Sequence, residues 1–515
     1  MHVLTRDEMR EADAAAVKLL PGGETALMAA AGAALADVCR AYAPPGAYVV
    51  CFAGRGNNGG DGALALAELA ADRRCALYLT HAVEELSASA RSAVERAAEH
   101  GVAVYPMPRE PLEALRGADL AVEALVGTGA HLPLDERLAQ CVAALGVAPV
   151  PVVACDVPAG VDPTTGEVAS VALRAAATLA LGAMKSGLLI EPGRSHAGEL
   201  WIAEIGFPER LLDTYERTYR ACEFESFARE LPKREERVDK YAAGHVVIIA
   251  GSEEYPGAAV LCTRAAARAG AGYVTLFTPR EAVASVRAHV VEQVVRPLPI
   301  DPDPLLRALH GASAVAIGPG LGREPTTQEL VRMVVQSVDR PMVIDADGLF
   351  ALSGRVEMLA GCTAVITPHA GEFARLVGRE RADVERDCVD AACTFAREHP
   401  EGPVLLLKGS PTVIIADHTG IHLGWAGTSA LATAGTGDVL TGTIAALLAR
   451  GLAPLEAARV GAFWHAMAGR VAESWHTGGV IAGDVCEALP AVVSLARGEP
   501  GIARWPSARR VLPRL

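Results

Sequence analysis

Ala47-Tyr48-Val49-Val50-Cys51-Phe52-Ala53 runs directly into Gly54-Arg55-Gly56-Asn57-Asn58-Gly59-Gly60-Asp61-Gly62, and a helical pattern follows from about Ala63. The apolar run is bounded by Pro44-Pro45-Gly46 and by Gly54, which marks a short strand buried on both faces. A strand, a glycine-rich loop and a helix, in that order, is how a doubly wound α/β sheet approaches a phosphate group. The loop is not G-x-G-x-x-G followed by an acid about 20 residues on. Its paired asparagines and Asp61 offer side-chain oxygens beside the backbone donors. A plain asparagine–glycine turn is the alternative, and the loop's length and position after a strand disfavour it.

The same alternation extends in both directions. Met9, Ala12, Ala16 and Leu19 or Leu20 fall on one helical face, Pro21-Gly22-Gly23 breaks that helix, and a second, alanine-rich helix covers residues 25–42. Further strand-like runs lie at 75–80, 102–105, 119–125 and 150–155, with helical runs near 62–72, 87–100 and 134–145. Two of those strands end in polar loops, Val126-Gly127-Thr128-Gly129-Ala130-His131 and Asp156-Val157-Pro158-Ala159-Gly160-Val161-Asp162. Ligands of open α/β sheets bind at the carboxyl ends of strands, so three such loops are expected to share one crevice.

Residues 216–238 are highly charged and read as a linker with an edge element, placing a domain boundary at 218–226. A second series of strand-to-loop junctions follows. Gly244–Ala250 leads into Gly251-Ser252, Ala314–Ile317 into Gly318-Pro319-Gly320-Leu321-Gly322, and Met342–Asp345 into Ala346-Asp347-Gly348-Leu349. Residues 364–367 lead into Pro368-His369-Ala370-Gly371-Glu372, and Val404–Leu407 into Lys408-Gly409-Ser410-Pro411-Thr412. The pattern is a second α/β domain with helices on both sheet faces. Near its end, Thr433-Ala434-Gly435-Thr436-Gly437-Asp438-Val439-Leu440-Thr441-Gly442 is a glycine loop that turns into an apolar helix. The free N–H groups of such a helix start favour an anion. Asp438 beside them is either a first-turn acid that suits the helix dipole or a base poised to take a hydroxyl proton in phosphoryl transfer. His465, in mid-helix, is expected to be packed or capping, and Asp484 to be a helix N-cap.

Composition bounds the alternatives. The 515 residues allow two to four domains, and a formal net charge of −14 argues against nonspecific nucleic-acid binding. Only five lysines occur (Lys18, Lys185, Lys233, Lys240, Lys408), so each carries weight. Eleven cysteines without a C-x-x-C pair fit reduced, core-filling thiols. The charged, amphipathic N-terminus is no secretory signal and no apolar run reaches membrane-spanning length, so a cytoplasmic protein is expected.

The loops N-N-G-G-D-G, G-T-G and D-x-P-x-G, then Lys185-Ser186-Gly187-Leu188 and Gly198–Pro208, resemble the NAD(P)H-hydrate epimerase domain over residues 1–215. The resemblance implies a Rossmann-like, three-layer fold and interconversion of the R and S forms of hydrated NADH and NADPH (NADHX and NADPHX). It implies that Asn57, Asn58, Gly59, Gly60 and Asp61, the loop Gly127, Thr128, Gly129, Ala130, His131, Leu132 and Pro133, and Asp156 contact the dinucleotide. Asp156 is then the acid/base at the C6 centre. Family members hold a potassium ion through Asn58 and the positions of Glu123 and Ala159. Here glutamate stands where the family has aspartate, and alanine where it has serine or threonine.

The set G-S, G-P-G-L-G, D-A-D-G-L, T-P-H-x-G-E, K-G and A-G-T-G-D-V-L-x-G, in this order, resembles the ADP- or ATP-dependent NAD(P)H-hydrate dehydratase over about 225–495. The resemblance implies a ribokinase-like fold, with Ala258, Gly322, His369 and Asp438 at the hydrated nicotinamide. Lys408, Gly409, Ser410, Pro411, Thr412 and Gly437 would hold ADP or ATP, whose phosphates magnesium bridges. The domains expected are 1–222 and 223–497, with an arginine- and proline-rich tail, 498–515, lying at the periphery. A homo-oligomer is a family expectation, with no nucleic-acid or membrane partner. Two readings compete with a bifunctional repair enzyme. One is a ribokinase-like small-molecule kinase with an accessory domain; the other is an N-terminal half that only binds or assembles.

Overall fold

The computed structural model describes residues 1–129, 132–215, 219–233, 243–417, 420–476, 478–498 and 508–513. The chain divides into two compact units, Met1–Arg220 with Gly501–Arg514, and Ala221–Pro500.

The first unit is built on an eight-stranded sheet. Its order is Arg509–Arg510, Glu199–Ala203, Ala177–Leu181, Val152–Cys155, Leu120–Ala124, Tyr48–Ala53, Arg74–Leu79 and Ala103–Pro106. The neighbours are parallel except at the short first strand, which pairs antiparallel with Glu199–Ala203. From Tyr48–Ala53 the chain winds outward to one edge, then returns to Leu120–Ala124 and winds to the other. The order therefore reverses between these two strands, and a crevice opens at their carboxyl ends. His2–Leu4 pairs with Met184–Lys185 and with Tyr219–Ala221, which ties the N-terminus to this unit.

Asn57-Asn58-Gly59-Gly60-Asp61-Gly62 differs from the expected loop: the helix begins at Asn57 and runs to Leu69. These glycines serve close packing. A Cβ at Gly59 would lie 2.1 Å from the Gly54 carbonyl oxygen, and one at Gly62 would meet Ala124 Cβ at 2.7 Å and Cys51 Sγ at 2.8 Å. The first turns of the helix seat directly on the strand ends because glycine stands at the closest contacts, 59 and 62. In the preceding helix, Arg6–Leu19, Met9, Ala12 and Ala16 are buried as expected, whereas Leu19 is 62% exposed. The chain's end also departs from expectation. Ala508 and Val511 are buried, and Arg510 pairs with Glu199 at 3.1 Å and lies over the Trp201 ring.

The second unit has a nine-stranded sheet in the order Val294–Pro297, Tyr273–Thr278, His245–Ile249, Ala314–Ile317, Met342–Ile344, Ala364–Ile366, Val404–Leu407, Thr412–Ile415 and Ile421–Gly424. All neighbours are parallel up to Val404–Leu407, and the last two strands are antiparallel. Thr412 therefore opens a strand that the sequence pattern does not mark. The strand order reverses between His245–Ile249 and Ala314–Ile317. The helix Thr436–Ala449, buried along most of its length, packs across this sheet against Pro256–Arg268. Gly442 permits that approach, since a Cβ there would lie 2.2 Å from the Cys262 carbonyl oxygen. Asp484 sits at the third position of the helix Ala482–Arg497 rather than at its cap, and its carboxylate accepts from the Ile481 N–H at 2.9 Å. All eleven cysteines are free thiols and most are buried. Among the described residues no single helix is long and apolar enough to cross a membrane.

Candidate active sites

The crevice of the first unit is a cavity of about 730 Å³. Three loops expected from sequence line it, through Gly54–Asn58 and Asp61, Gly127–Gly129 with Pro133, and Asp156. Gly59 and Gly60 face the protein interior instead, and Leu132 is not in the lining. Ala130 and His131 lie outside the described residues. Asp156 adopts φ 71°, a costly left-handed conformation for a non-glycine residue. Its backbone N–H donates to Leu179 O at 2.8 Å, which turns the side chain into the cavity. There Oδ2 accepts from Thr128 N–H at 3.2 Å, and Oδ1 accepts from Leu181 N–H at 3.2 Å and from Lys185 Nζ. The Lys185 side chain is 1% exposed, and its ammonium also donates to Leu181 O at 2.6 Å. The centre is thus one strained carboxylate held on three sides with an ammonium locked against it. The motif Lys185-Ser186-Gly187 marks this lysine in the sequence but not its partner.

The potassium expectation fails on the donor set. Glu123 is fully buried, and its two oxygens accept from Leu125 N–H at 2.8 Å and Ala159 N–H at 3.0 Å. Its extra methylene carries the carboxylate onto the backbone of the residue that lacks a side-chain oxygen. Burial pushes Glu123 up to about 7, against the opposing backbone hydrogen bonds. The Asn58 Nδ2 is buried without a partner. With Ala159 offering only a methyl group and Glu123 directed at backbone amides, these residues do not fit a potassium ion. Exchanging potassium for sodium or choline is therefore expected to change turnover at this site by less than about twofold, since no buried charge pair is broken. Steady-state rates in the three salts at equal ionic strength check this.

In the second unit the parallel strand ends bring Asp345, His369, Lys408 and the start of helix Thr436–Ala449 together. Gly435 takes φ 90°, where a Cβ would lie 2.6 Å from Leu261 Cδ1. The loop is fixed from inside: Thr436 Oγ1 donates to Leu431 O at 2.8 Å and to Thr433 O at 2.9 Å. His465 is buried and held neutral, pushed down to about 4 by desolvation against a hydrogen bond to the Thr436 backbone. Thr436 N–H points back to Thr433 O at 3.4 Å, so it is not one of the outward donors. Gly437 lies beside Lys408, whose Nζ would be 3.4 Å from a Cβ there.

Asp345 organises this cluster, a role the D-A-D-G-L motif did not reveal. It is 1% exposed; Oδ1 accepts from Lys408 Nζ at 2.9 Å and Oδ2 from Thr441 Oγ1 at 2.7 Å. It therefore ties the loop that follows strand Val404–Leu407 to the helix that begins at Thr436. Glu372 Oε2 stands 3.8 Å from Lys408 Nζ. His369 caps the helix Ala370–Val377 with Nδ1, accepting from Gly371 N–H at 3.0 Å, and leaves its ring largely exposed. Gly322 N–H donates to Asp347 Oδ2 at 2.9 Å. Ala258 packs under the same loop, since a Cβ at Gly320 would lie 2.8 Å from its own. Asp438, half-buried, is pushed up to about 7, first by desolvation, then by Asp345, with Lys408 opposing and Asp347 and Glu372 adding. A carboxyl tuned to neutrality beside an ammonium and a helix start suits proton transfer coupled to work on an anion.

Asp345→Asn is expected to raise KM for the anionic co-substrate about tenfold, by freeing Lys408 from a charged hydrogen bond. It should also move the acid limb of kcat/KM to lower pH, because one of the groups raising Asp438 is neutralised. A pH–rate series on the variant checks both.

A family profile described as NAD(P)H-hydrate dehydratase matches residues 246–491, and one described as YjeF-related protein N-terminus matches residues 24–187. The bifunctional NAD(P)H-hydrate repair enzyme Nnr of Salinibacter ruber is 36% identical over 538 residues, covering 96% of this chain and 97% of its own length. That of Escherichia coli is 32% identical over 95% of this chain and 93% of its own. Among solved structures, an ADP/ATP-dependent NAD(P)H-hydrate dehydratase from Bacillus subtilis, co-crystallised with ATP and Mg2+, is 28% identical, with 53% of this chain and 97% of that one covered at a TM-score of 0.47.

Two α/β units, each with a carboxylate and a lysine converging at strand ends, define a two-centre enzyme of acid–base chemistry. The chain belongs to the bifunctional NAD(P)H-hydrate repair enzyme family, with the dehydratase in the second unit and the epimerase in the first.

Proposed function

We propose that the two centres act in series on one damaged cofactor: the first equilibrates R and S hydrates around Asp156, and the second dehydrates the S form at Asp438 with ADP or ATP. The observation that carries the reading is Asp438 raised to about 7 beside Lys408 at the start of a helix. In its ionised form Asp438 takes the proton of the C6 hydroxyl as that oxygen attacks the terminal phosphoryl group. Lys408 and the N–H groups around Gly437 stabilise charge on the transferred group. Phosphate is a far better leaving group than hydroxide, and the ring nitrogen's lone pair expels it. Loss of a proton from C5 then forms the C5–C6 double bond, which restores NADH or NADPH with inorganic phosphate released.

Ala258, Gly322 and His369 line the side for the hydrated ring, and Lys408 to Thr412 with Gly437 the side for the nucleotide. Among the described residues no group of three or more His, Cys, Asp or Glu side chains is arranged to hold a metal. Magnesium brought in with ADP or ATP would supply further charge neutralisation there. At the first centre Asn57, Asn58, Asp61 and Gly127 to Gly129 cradle the dinucleotide, and Asp156 works with protein groups alone. Product analysis tests the dehydratase reading: S hydrate with ADP should give inorganic phosphate and the absorbance of reduced nicotinamide. Accumulation of a phosphorylated product would instead mark a kinase.

A further inference from the structure

The helix Arg6–Leu19 presents Arg10, Asp13 and Val17, with Met9, to the cavity of the first unit. The spacing i, i+3, i+7 places Arg10, Asp13 and Val17 on one stripe. This helix is registered to Lys185. Strand His2–Leu4 pairs with Met184–Lys185, Leu4 opposite Lys185. Arg6 then fixes the helix start, its N–H donating to Thr164 Oγ1 at 2.9 Å and its guanidinium to Asp162 at 2.6 Å. Asp13 thus enters from the helical wall of the cavity, whereas Asp156 and Lys185 enter from the strand side. The Asp13 carboxylate makes no hydrogen bond or ion pair with any described residue, so its polar capacity is free for whatever occupies the cavity. Asp13 also precedes the residues matched by the N-terminal family profile.

We propose that Asp13 is a second catalytic residue of the epimerase, the acid that works opposite Asp156. The proposal rests on the reading of Asp156 as the acid/base at C6. The Asp13 proton passes to the C6 hydroxyl, the C6–O bond breaks, and water leaves as the ring nitrogen's lone pair forms the C=N bond. A water on the other face adds to C6 and gives its proton to Asp156. One C–O bond is broken and one made, and a proton moves from Asp13 to Asp156, so the opposite epimer reacts with the roles exchanged. The surroundings separate the two groups. Asp156 is paired with Lys185, while Asp13 is pushed up to about 6, first by desolvation, with Lys185 opposing and Asp156 adding. Asp61 faces the same cavity, and burial raises it well above the usual carboxylate range, with Asp156 and Asp13 adding. Arg10 on the same helix, Glu24, Arg55, His81 and Asp135 complete the charged and titratable lining.

The test measures R-to-S conversion by the full chain, with dehydration in the same molecule as the control for folding. Asp13→Asn is expected to lower epimerase kcat about 100-fold with KM changed less than about threefold, the range for loss of one acid–base group. The alkaline limb expected of wild type as pH rises through about 6 should disappear. Asp13→Glu should restore part of kcat and the limb, and dehydratase turnover should be unchanged in both. Asp13→Asn with wild-type kcat and limb, while Asp156→Asn is inactive, would overturn the proposal alone. So would a loss carried only by KM, or a lower kcat with the alkaline limb intact. Full activity of Asp156→Asn would overturn the Asp156 reading and this proposal with it.

Discussion

Asp438→Asn should lower dehydratase turnover by ~100- to 1,000-fold and leave epimerisation intact. Asparagine keeps the shape and the helix-start position but cannot take the C6 hydroxyl proton. The surrounding geometry stays fixed, since Gly435 at φ 90° and the Thr436 hydrogen bonds hold the loop independently of the side chain at 438. The loss should therefore fall on kcat, with KM for nucleotide and hydrate little changed. The wild-type rate should carry the matching signature. Asp438 is raised to about 7 and acts when ionised, so kcat/KM should fall as pH drops through 7. The variant's residual rate should lack that limb. Single-turnover phosphate release for both proteins across pH checks both points, and a variant within about tenfold of wild type would remove Asp438 from the proton-transfer role.

Lys185→Met is the second large effect. Lys185 and Asp156 are 1% and 8% exposed at the side chain, and each is the other's charged partner. Methionine fills much of the lysine's volume but leaves a buried carboxylate unpaired, which typically costs ~3–5 kcal/mol. The first unit should therefore unfold at lower temperature, and epimerisation should fall ~100-fold or more because the carboxylate at C6 loses the group that holds it. The second unit, with its own core and sheet, should keep dehydratase turnover. Calorimetry paired with the two activity assays separates these outcomes. Lys185→Arg does not substitute, because the guanidinium is planar and larger than the enclosed ammonium site.

The parallel strands were legible because fully buried strands read as short apolar runs closed by glycine, proline or polar residues, as at Tyr48–Ala53 and Val404–Leu407. Strand ends then pointed to Asp156 and Lys408, and the glycine loop that opens an apolar helix pointed to Asp438. Three things were not legible, each for a physical reason. Glycine in Asn57–Gly62 signals either flexibility or close packing, and only the partners at Gly54, Ala124 and Cys51 show that it packs a helix. The hairpin Thr412–Gly424 has strands of four residues each, too short for its alternation to stand out. The meetings of Lys185 with Asp156, Asp345 with Thr441, and Asp13 with the cavity are set by tertiary register across 29, 96 and more than 100 residues of chain. The long glutamate at 123 was visible as a departure, but its turn onto the Ala159 amide required the fold.

The most direct test gives the full chain an equal mixture of R and S hydrates of NADH with ADP and magnesium, with reduced-nicotinamide absorbance and inorganic phosphate followed together. The expected result is complete conversion at an enzyme-dependent rate, with phosphate equal to NADH formed throughout. A halt when the S form is spent, followed only by the enzyme-independent drift of R to S, would contradict an active first centre. Loss of hydrate without equivalent phosphate would contradict the second.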